Sequence, residues 1–454
     1  MIGNPEFRRN LWLELTPQRL VVMPLVLAAI FAVVYLGESG VSRWTREASY
    51  GGLATAAKYL YLALVLLWGG RQAGSAVTDE IRDRTWDGQR LSALGSWSMS
   101  WGKLFGSTVF TWYGGALALA VFVVAGLRER STPDVVYEAA TLLGYGVLCQ
   151  ATALLASLLY LRHKAPTRRA TGALFHFIGL AAVAIVWWLA RDFDIGVRRW
   201  PFDAPVSREG FELVSVVVFA IWAVIGVWRL MRAELQFRNL PWVWTLFALY
   251  LVAYVAGFLA SPGALTVRFM APSVVLFGCA YLLAWVEHKD VVGLRRLAGR
   301  ARAGAWRGFF EAVPLWLLTY VFAGLAVAST VAFNRAGLDG PGREAAIFSL
   351  VSAFLFMTRD LGILLALNLG RSPRRADLAA VLYWAVLYGL IPLLLRALGQ
   401  HGAAGWFRPA GTGIVVASAV VQAVLALAWV AWRWRAAGRA VGLAKASGTS
   451  HIRA

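Results

Sequence analysis

The residue types able to do chemistry gather in one stretch, TDEIRDRTWDGQRLSALGSWSMSWGKLFGS, which begins at Thr78. Asp79, Glu80, Asp83 and Asp87 alternate there with Arg82, Arg84 and Arg90. Thr78 is a good N-cap type, and a helix starting there would carry Asp79 and Glu80 at the positive end of its dipole. Asp83 and Asp87 follow at i, i+4, a like-charge spacing that is unfavourable in an isolated helix and points to carboxylates held for a partner. Leu91, Leu94, Trp97 and Trp101 are apolar positions that would seat a short helix at a membrane surface. The plainer reading is a solvated charged loop.

Other candidate chemistry is weaker. Gly95 to Lys103 mimics a phosphate-binding loop, but six residues separate Gly95 from Gly102 and Leu104 stands where a magnesium-binding Ser or Thr belongs. Cys149 and Cys279 both fall in apolar runs, so neither a disulfide framework nor a metal cluster is expected. Asp192, Asp194 and Asp203 share one loop without metal-ligand spacing. Inside the apolar runs the rare polar residues are Lys58, Gln150, His176, Arg359 and Asp360; ionisable groups at membrane depth usually face a protein interior or an aqueous cavity. Arg359-Asp360 stands out because two adjacent charges cannot both face lipid. His176 reads as a satisfied buried hydrogen-bonding group, and Lys58 as a side chain snorkelling to the interface.

The elements that must position these groups are apolar. The chain has 454 residues, 59% hydrophobic and 15% charged, against roughly 25% charged in ordinary globular domains. Twelve windows of about 20 apolar residues, the length that crosses a bilayer, run from Leu20 to Trp432. Such runs satisfy their backbone in lipid only as helices, so the expected fold is an all-α membrane protein of about twelve transmembrane helices. The net charge of +20 is topological: alternate loops and both termini hold 29 Lys and Arg, the other loops 12. That bias places both termini in the cytoplasm and excludes a nucleic-acid footprint. Asn4 to Gln18, with Phe7, Leu11 and Leu15 on one face and Trp12 beside them, reads as an interfacial amphipathic helix ended at Thr16-Pro17.

An internal repeat near 206 residues relates the two halves. Glu80 and Asp83 map onto Glu287 and Asp290, Arg90-Leu91 onto Arg296-Leu297, Trp101 onto Trp306, and Pro166 with Arg168-Arg169 onto Pro373 with Arg374-Arg375. The expected organisation is two parallel six-helix repeats, 1–235 and 236–454. The second copy of the loop lacks the Thr and the Gly-Lys pair and carries Arg295, Arg296, Arg300, Arg302 and Arg307.

Glu80, Thr85, Leu91, Leu94, Gly102 and Lys103, with the segment ASLLYLRHKAPTRRATGAL and the N-terminal helix, resemble the permease subunits of ATP-binding-cassette transporters of the type-two exporter family. Trp86-Asp87-Gly88 and Gly95-Ser96 depart from that pattern. The resemblance implies a non-enzymatic permease, with no cofactor in this chain. ATP and magnesium would sit on two separate ATPase subunits, docked on a coupling loop of Asp79, Glu80, Asp83, Arg84, Thr85, Asp87, Arg90, Leu91, Leu94, Gly102 and Lys103. A second coupling loop would use Glu287, Asp290, Arg296, Leu297 and Trp306. It implies a bacterial cytoplasmic membrane and outward transport. Alternatives are a major-facilitator-type secondary transporter, whose glycines are replaced here by Asp79 and Trp86, and a polytopic enzyme acting on lipid-linked substrates.

Overall fold

The computed structural model describes residues 3–42, 50–92, 94–163, 172–191, 206–257, 265–287, 289, 291–335, 343–370 and 375–450. Every element among them is helical. The chain divides into two compact units, one of Met1–Arg198 with Ala204–Asn239 and one of Arg199–Asp203 with Leu240–Ala454.

In the first unit α1 (Pro5–Glu14) precedes α2 (Pro17–Ser42), then α3 (Gly51–Tyr61) runs through a π-helical turn, Leu62–Trp68, into α4 (Gly69–Arg82). Two short helices, α5 (Trp86–Arg90) and α6 (Ser96–Trp101), lead through a second π turn, Gly102–Gly106, to α7 (Val109–Gly126), α8 (Thr132–His163), α9 (Gly172–Arg191) and α10 (Arg208–Glu234). The core gathers Tyr61, Val65, Leu104, Phe122, Leu154 and Val227 around α8, which packs against α4, α9 and α10. Small residues allow that closeness, as in membrane helix pairs generally. A Cβ at Gly179 would lie 2.4 Å from the Cys149 carbonyl oxygen on α8.

The second unit runs α11 (Trp242–Ala256), α12 (Leu265–Val286), α13 (Val291–Arg302), α14 (Trp306–Ala312), α15 (Leu315–Arg335) and α16 (Arg343–Asn368). Then α17 (Ala376–Ala385) continues through a third π turn, Val386–Leu390, into α18 (Ile391–Ala397), followed by α19 (His401–Ala404) and α20 (Gly413–Ser450). Leu276, Ala280, Ala323, Met357 and Leu364 form its core, and α16 lies against α20 with Gly362 facing Ala426.

Nine helices among the described residues are long and apolar enough to cross a membrane, from Pro17–Gly37 to Gly413–Ala437. Three of the twelve expected windows hold shorter apolar helices instead, Leu174–Ala190, Trp242–Ala256 and Met270–Val286.

The expected helix start at Thr78 is not one. The helix of the second apolar window continues about one turn past it, so Thr78 to Arg82 are the last turn of α4 and Thr78 Oγ1 donates to the Ser75 carbonyl at 3.0 Å. Asp83 caps that end, and Arg84 takes a left-handed φ of 60°. Thr85 N–H returns to the Glu80 carbonyl at 2.9 Å and Arg84 N–H to that of Ile81 at 3.1 Å, the paired bonds of a Schellman turn. Asp83, the cap of α4, and Asp87, in α5, therefore do not lie one turn apart on one helix.

Candidate functional site

The first site grows from the end of α4. Because Asp79 and Glu80 sit at a helix C-terminus, the negative end of the dipole, their charge needs cations from elsewhere. Asp79 takes Arg82 at 2.8 Å. Glu80 turns inward, where its Oε1 is shared by Arg9, Lys103 and Gln89, the last donating at 2.7 Å. Lys103 also meets Glu6 at 2.7 Å, and Arg9 meets Glu6 at 2.9 Å. Two carboxylates and two cations thus close into a neutral node, with Lys103 and Glu6 almost wholly buried. Burial alone would lower the pKa of the Arg9 guanidinium, but Glu80 and Glu6 hold it above its ordinary value. Glu80 Oε2 is buried without a hydrogen-bond partner among the described residues.

What brings Glu6 and Arg9 there is α1. The face turned to the protein is polar: Glu6 and Asn10 are buried, while Trp12 and Leu13 are 79% and 63% exposed. Asn4 caps α1 by accepting from the Glu6 N–H at 3.0 Å, and its amide donates to the Ser98 carbonyl at 2.7 Å, pinning α1 to α6. Asn10 donates to the Gly102 carbonyl at 3.4 Å. A Cβ at Gly102 would lie 2.6 Å from Glu6 Cβ, so only glycine admits the helix this closely. Gly102 and Gly106, four apart, are the seat.

The rest of the predicted coupling loop divides into a fastened and a free face. Arg90 donates to the Glu234 carbonyl at the end of α10 at 3.2 Å, Thr85 Oγ1 donates to the Glu80 carbonyl at 3.2 Å, Leu94 packs on the core, and Gly102 and Lys103 belong to the node. Asp83, Asp87 and Leu91 point outward, Leu91 at 89% exposure. Glu80 is an internal strut, not part of the free face. The loop's partners Asn4, Glu6, Arg9, Asn10 and Gln89 escaped the sequence reading, although the GKLFG spacing of small residues signalled a close helix contact.

In the second predicted loop, Glu287 Oε2 accepts the Trp316 N–H at 3.2 Å, Leu297 is buried, Trp306 is exposed and so is Arg296; Asp290 lies outside the described residues. So do Pro166, Arg168, Arg169, Pro373, Arg374, Asp192, Asp194 and Asp203.

The intramembrane candidates resolve differently. Arg359 and Asp360 are each 2% exposed. Arg359 Nε donates to Asp360 Oδ1 at 2.8 Å and Nη1 to Gln422 on α20 at 2.6 Å, while the guanidinium lies over the Phe356 and Tyr388 rings. Asp360 Oδ2 accepts from Tyr281 at 2.9 Å and Tyr388 at 2.7 Å. This cluster ties α12, the third π turn and α20 to α16. Gln150 serves the first π turn: its amide donates to the Val65 carbonyl at 3.0 Å and its Oε1 accepts from Trp112 at 2.8 Å. π turns leave backbone groups unmatched and are frequent at functional sites. Lys58 pairs with Glu138 at 2.6 Å. His176 Nδ1 is buried with no hydrogen bond among the described residues, so the expected satisfied histidine is not found.

No family model, curated protein or solved structure matches the chain. What the molecule itself establishes is an all-helical protein with multiple helices built to cross a membrane. Among the described residues, no group of His, Cys, Asp and Glu is placed to hold a metal ion.

Proposed function

We propose that the chain is the permease of an ATP-driven membrane transporter, moving its cargo outward across a bacterial cytoplasmic membrane. Two separate ATPase subunits would supply ATP and magnesium. In this reading twelve spans in two parallel repeats, with both termini cytoplasmic, form the body. The observation that carries it is the loop between α4 and α7. It is fastened on its inner side by a buried charge node and by α10, yet presents Asp83, Asp87 and Leu91 outward with their apolar and acidic surface uncovered. A rigid lever with a free docking face is what transmits motion from a soluble subunit to spanning helices. Binding energy is expected to concentrate in an exposed apolar anchor such as Leu91 flanked by charges.

The test is capture of a native complex through a tag on this chain. A nucleotide-hydrolysing subunit should be recovered with the wild type and lost with the pair Asp87→Arg and Leu91→Glu, both exposed and so neutral for folding. Recovery of no such subunit with the wild type overturns the reading.

The Asp360 cluster favours a second reading, a proton-driven secondary transporter, because a carboxylate buried in a spanning helix and ringed by two tyrosines has the chemistry of proton relays. A chain that captures no ATPase, and whose transport stops on collapse of the proton gradient, supports this one.

A further inference from the structure

A groove of about 550 Å³ opens in the first unit between α2, α3 and α7, within the roughly 300–1,000 Å³ range of ligand sites. Phe31 and Tyr35 of α2, Leu53 of α3 and Val121 and Val124 of α7 make its walls apolar, and Arg128 stands at its rim. Val124 is 64% exposed, so the groove faces what surrounds the helices. Arg128 lies two residues past the end of α7, at the level where a spanning helix meets water.

The described charges around Arg128 are matched. Arg130 pairs with Glu138 and stacks over the Phe122 ring, Lys58 takes the other oxygen of Glu138, and Glu129 accepts the Tyr50 N–H. The Arg128 guanidinium makes no hydrogen bond, ion pair or ring contact among the described residues, and the residue is exposed. An apolar trough ending in an unmatched guanidinium is complementary to one kind of molecule: an acyl chain terminated by an anion. We propose that this groove binds a phospholipid of the surrounding leaflet that carries a net negative headgroup, its chain along Phe31, Tyr35 and Val124 and its phosphate on Arg128. A guanidinium binds phosphate through a two-pronged hydrogen-bonded pair, which makes arginine the fitting cation for the rim. The site is separate from the ATPase-facing loop and does not depend on the transport reading.

The test uses the full chain in detergent, with native mass spectrometry counting bound phosphatidylglycerol and phosphatidylcholine of identical acyl chains. The wild type should retain phosphatidylglycerol preferentially. Arg128→Gln should reduce that preference about fivefold, the worth of one basic residue near an anionic surface, and Arg128→Lys should keep most of it. Val124→Trp, which fills the trough, should lower retention of both lipids. Thermal unfolding of each variant checks that the helices remain assembled, and Val124→Trp and Arg128→Lys carry the test if Arg128→Gln proves unstable. Equal retention of the two lipids by the wild type, or an Arg128→Gln preference equal to that of the wild type, overturns the proposal.

Discussion

Each unit buries one lysine beside a predicted coupling loop, and the two are treated very differently. Lys103 has the carboxylates of Glu6 and Glu80 against its ammonium and the Trp86 ring 5.9 Å away. Lys289, only 4% exposed in its side chain, has Asp377 at 4.0 Å and donates to the Glu287 carbonyl at 3.2 Å. Burial pulls the pKa of Lys289 below the usual lysine range, and Asp377 and Glu287 recover only part of it. What the first loop has and the second lacks is α1, which brings Glu6 and Arg9 as one charge-balanced insert. An extra interfacial helix is therefore more than an anchor: it completes the charge shell that makes the first loop rigid.

Removing the cation at the centre of the better-matched node should have the largest effect. Lys103→Met leaves Glu6 and Glu80 facing each other with Arg9 alone, and breaking such a buried pair costs about 3 kcal/mol. Unfolding in detergent would measure it, with faster proteolytic release of α1 as a second readout. Stability within about 0.5 kcal/mol of wild type would show that the node is not the anchor.

The sharper test sets the loops side by side. Glu80→Ala leaves Lys103 and Arg9 to share Glu6 and should cost about 2 kcal/mol, whereas Glu287→Ala, which loses the bond to the Trp316 N–H, should cost about 1 kcal/mol. In a reconstituted complex with the proposed ATPase, Glu80→Ala should also reduce substrate-stimulated hydrolysis more. Equal losses on both readouts would dissolve the asymmetry.

Arg84→Gly should stabilise by about 1 kcal/mol, since a non-glycine residue in the left-handed region is strained and the equivalent turn after α13 already uses Gly304, at φ 67°. A melting temperature unchanged or lowered would mean that Arg84 gains something outside this turn. Smallest is the effect at Lys289. With its folded pKa below the unfolded one, the unfolded chain holds more protons in the interval between them, so stability rises as pH climbs through that interval and is lowest below it. Lys289→Met should be slightly more stable than wild type at neutral pH, and the difference should shrink toward pH ~10.4. A difference that stays constant with pH would remove titration of Lys289 as its cause.

Composition and length were enough to expect an all-α membrane protein, because a run of about 20 apolar residues has no other way to satisfy its backbone in lipid, and nine of the twelve windows hold helices long and apolar enough to cross among the described residues. The windows were legible even where their ends were not. Thr78-Asp79-Glu80 carries the local signature of a helix start, yet it ends α4, since the helix of the preceding span continues outward until Asp83 and Arg84 close it. Local capping chemistry ranks possibilities, and the neighbouring helix decides among them.

The sequence by itself determined that Arg359 and Asp360 must be buried together, as lipid cannot solvate either. It also determined that the stretch from Thr78 to Lys103 carries the acidic cluster of Asp79, Glu80, Asp83 and Asp87. Tertiary structure alone decided that Glu80 faces inward, that the polar side of α1 is its packed side, and that Asp360 is met by Tyr281 and Tyr388. The physical reason is distance along the chain. Asn4 meets Ser98, 94 residues away, and Tyr281 meets Asp360, 79 residues away; hydrophobic periodicity reports which face is apolar, but a polar partner that far removed leaves no trace in the local pattern.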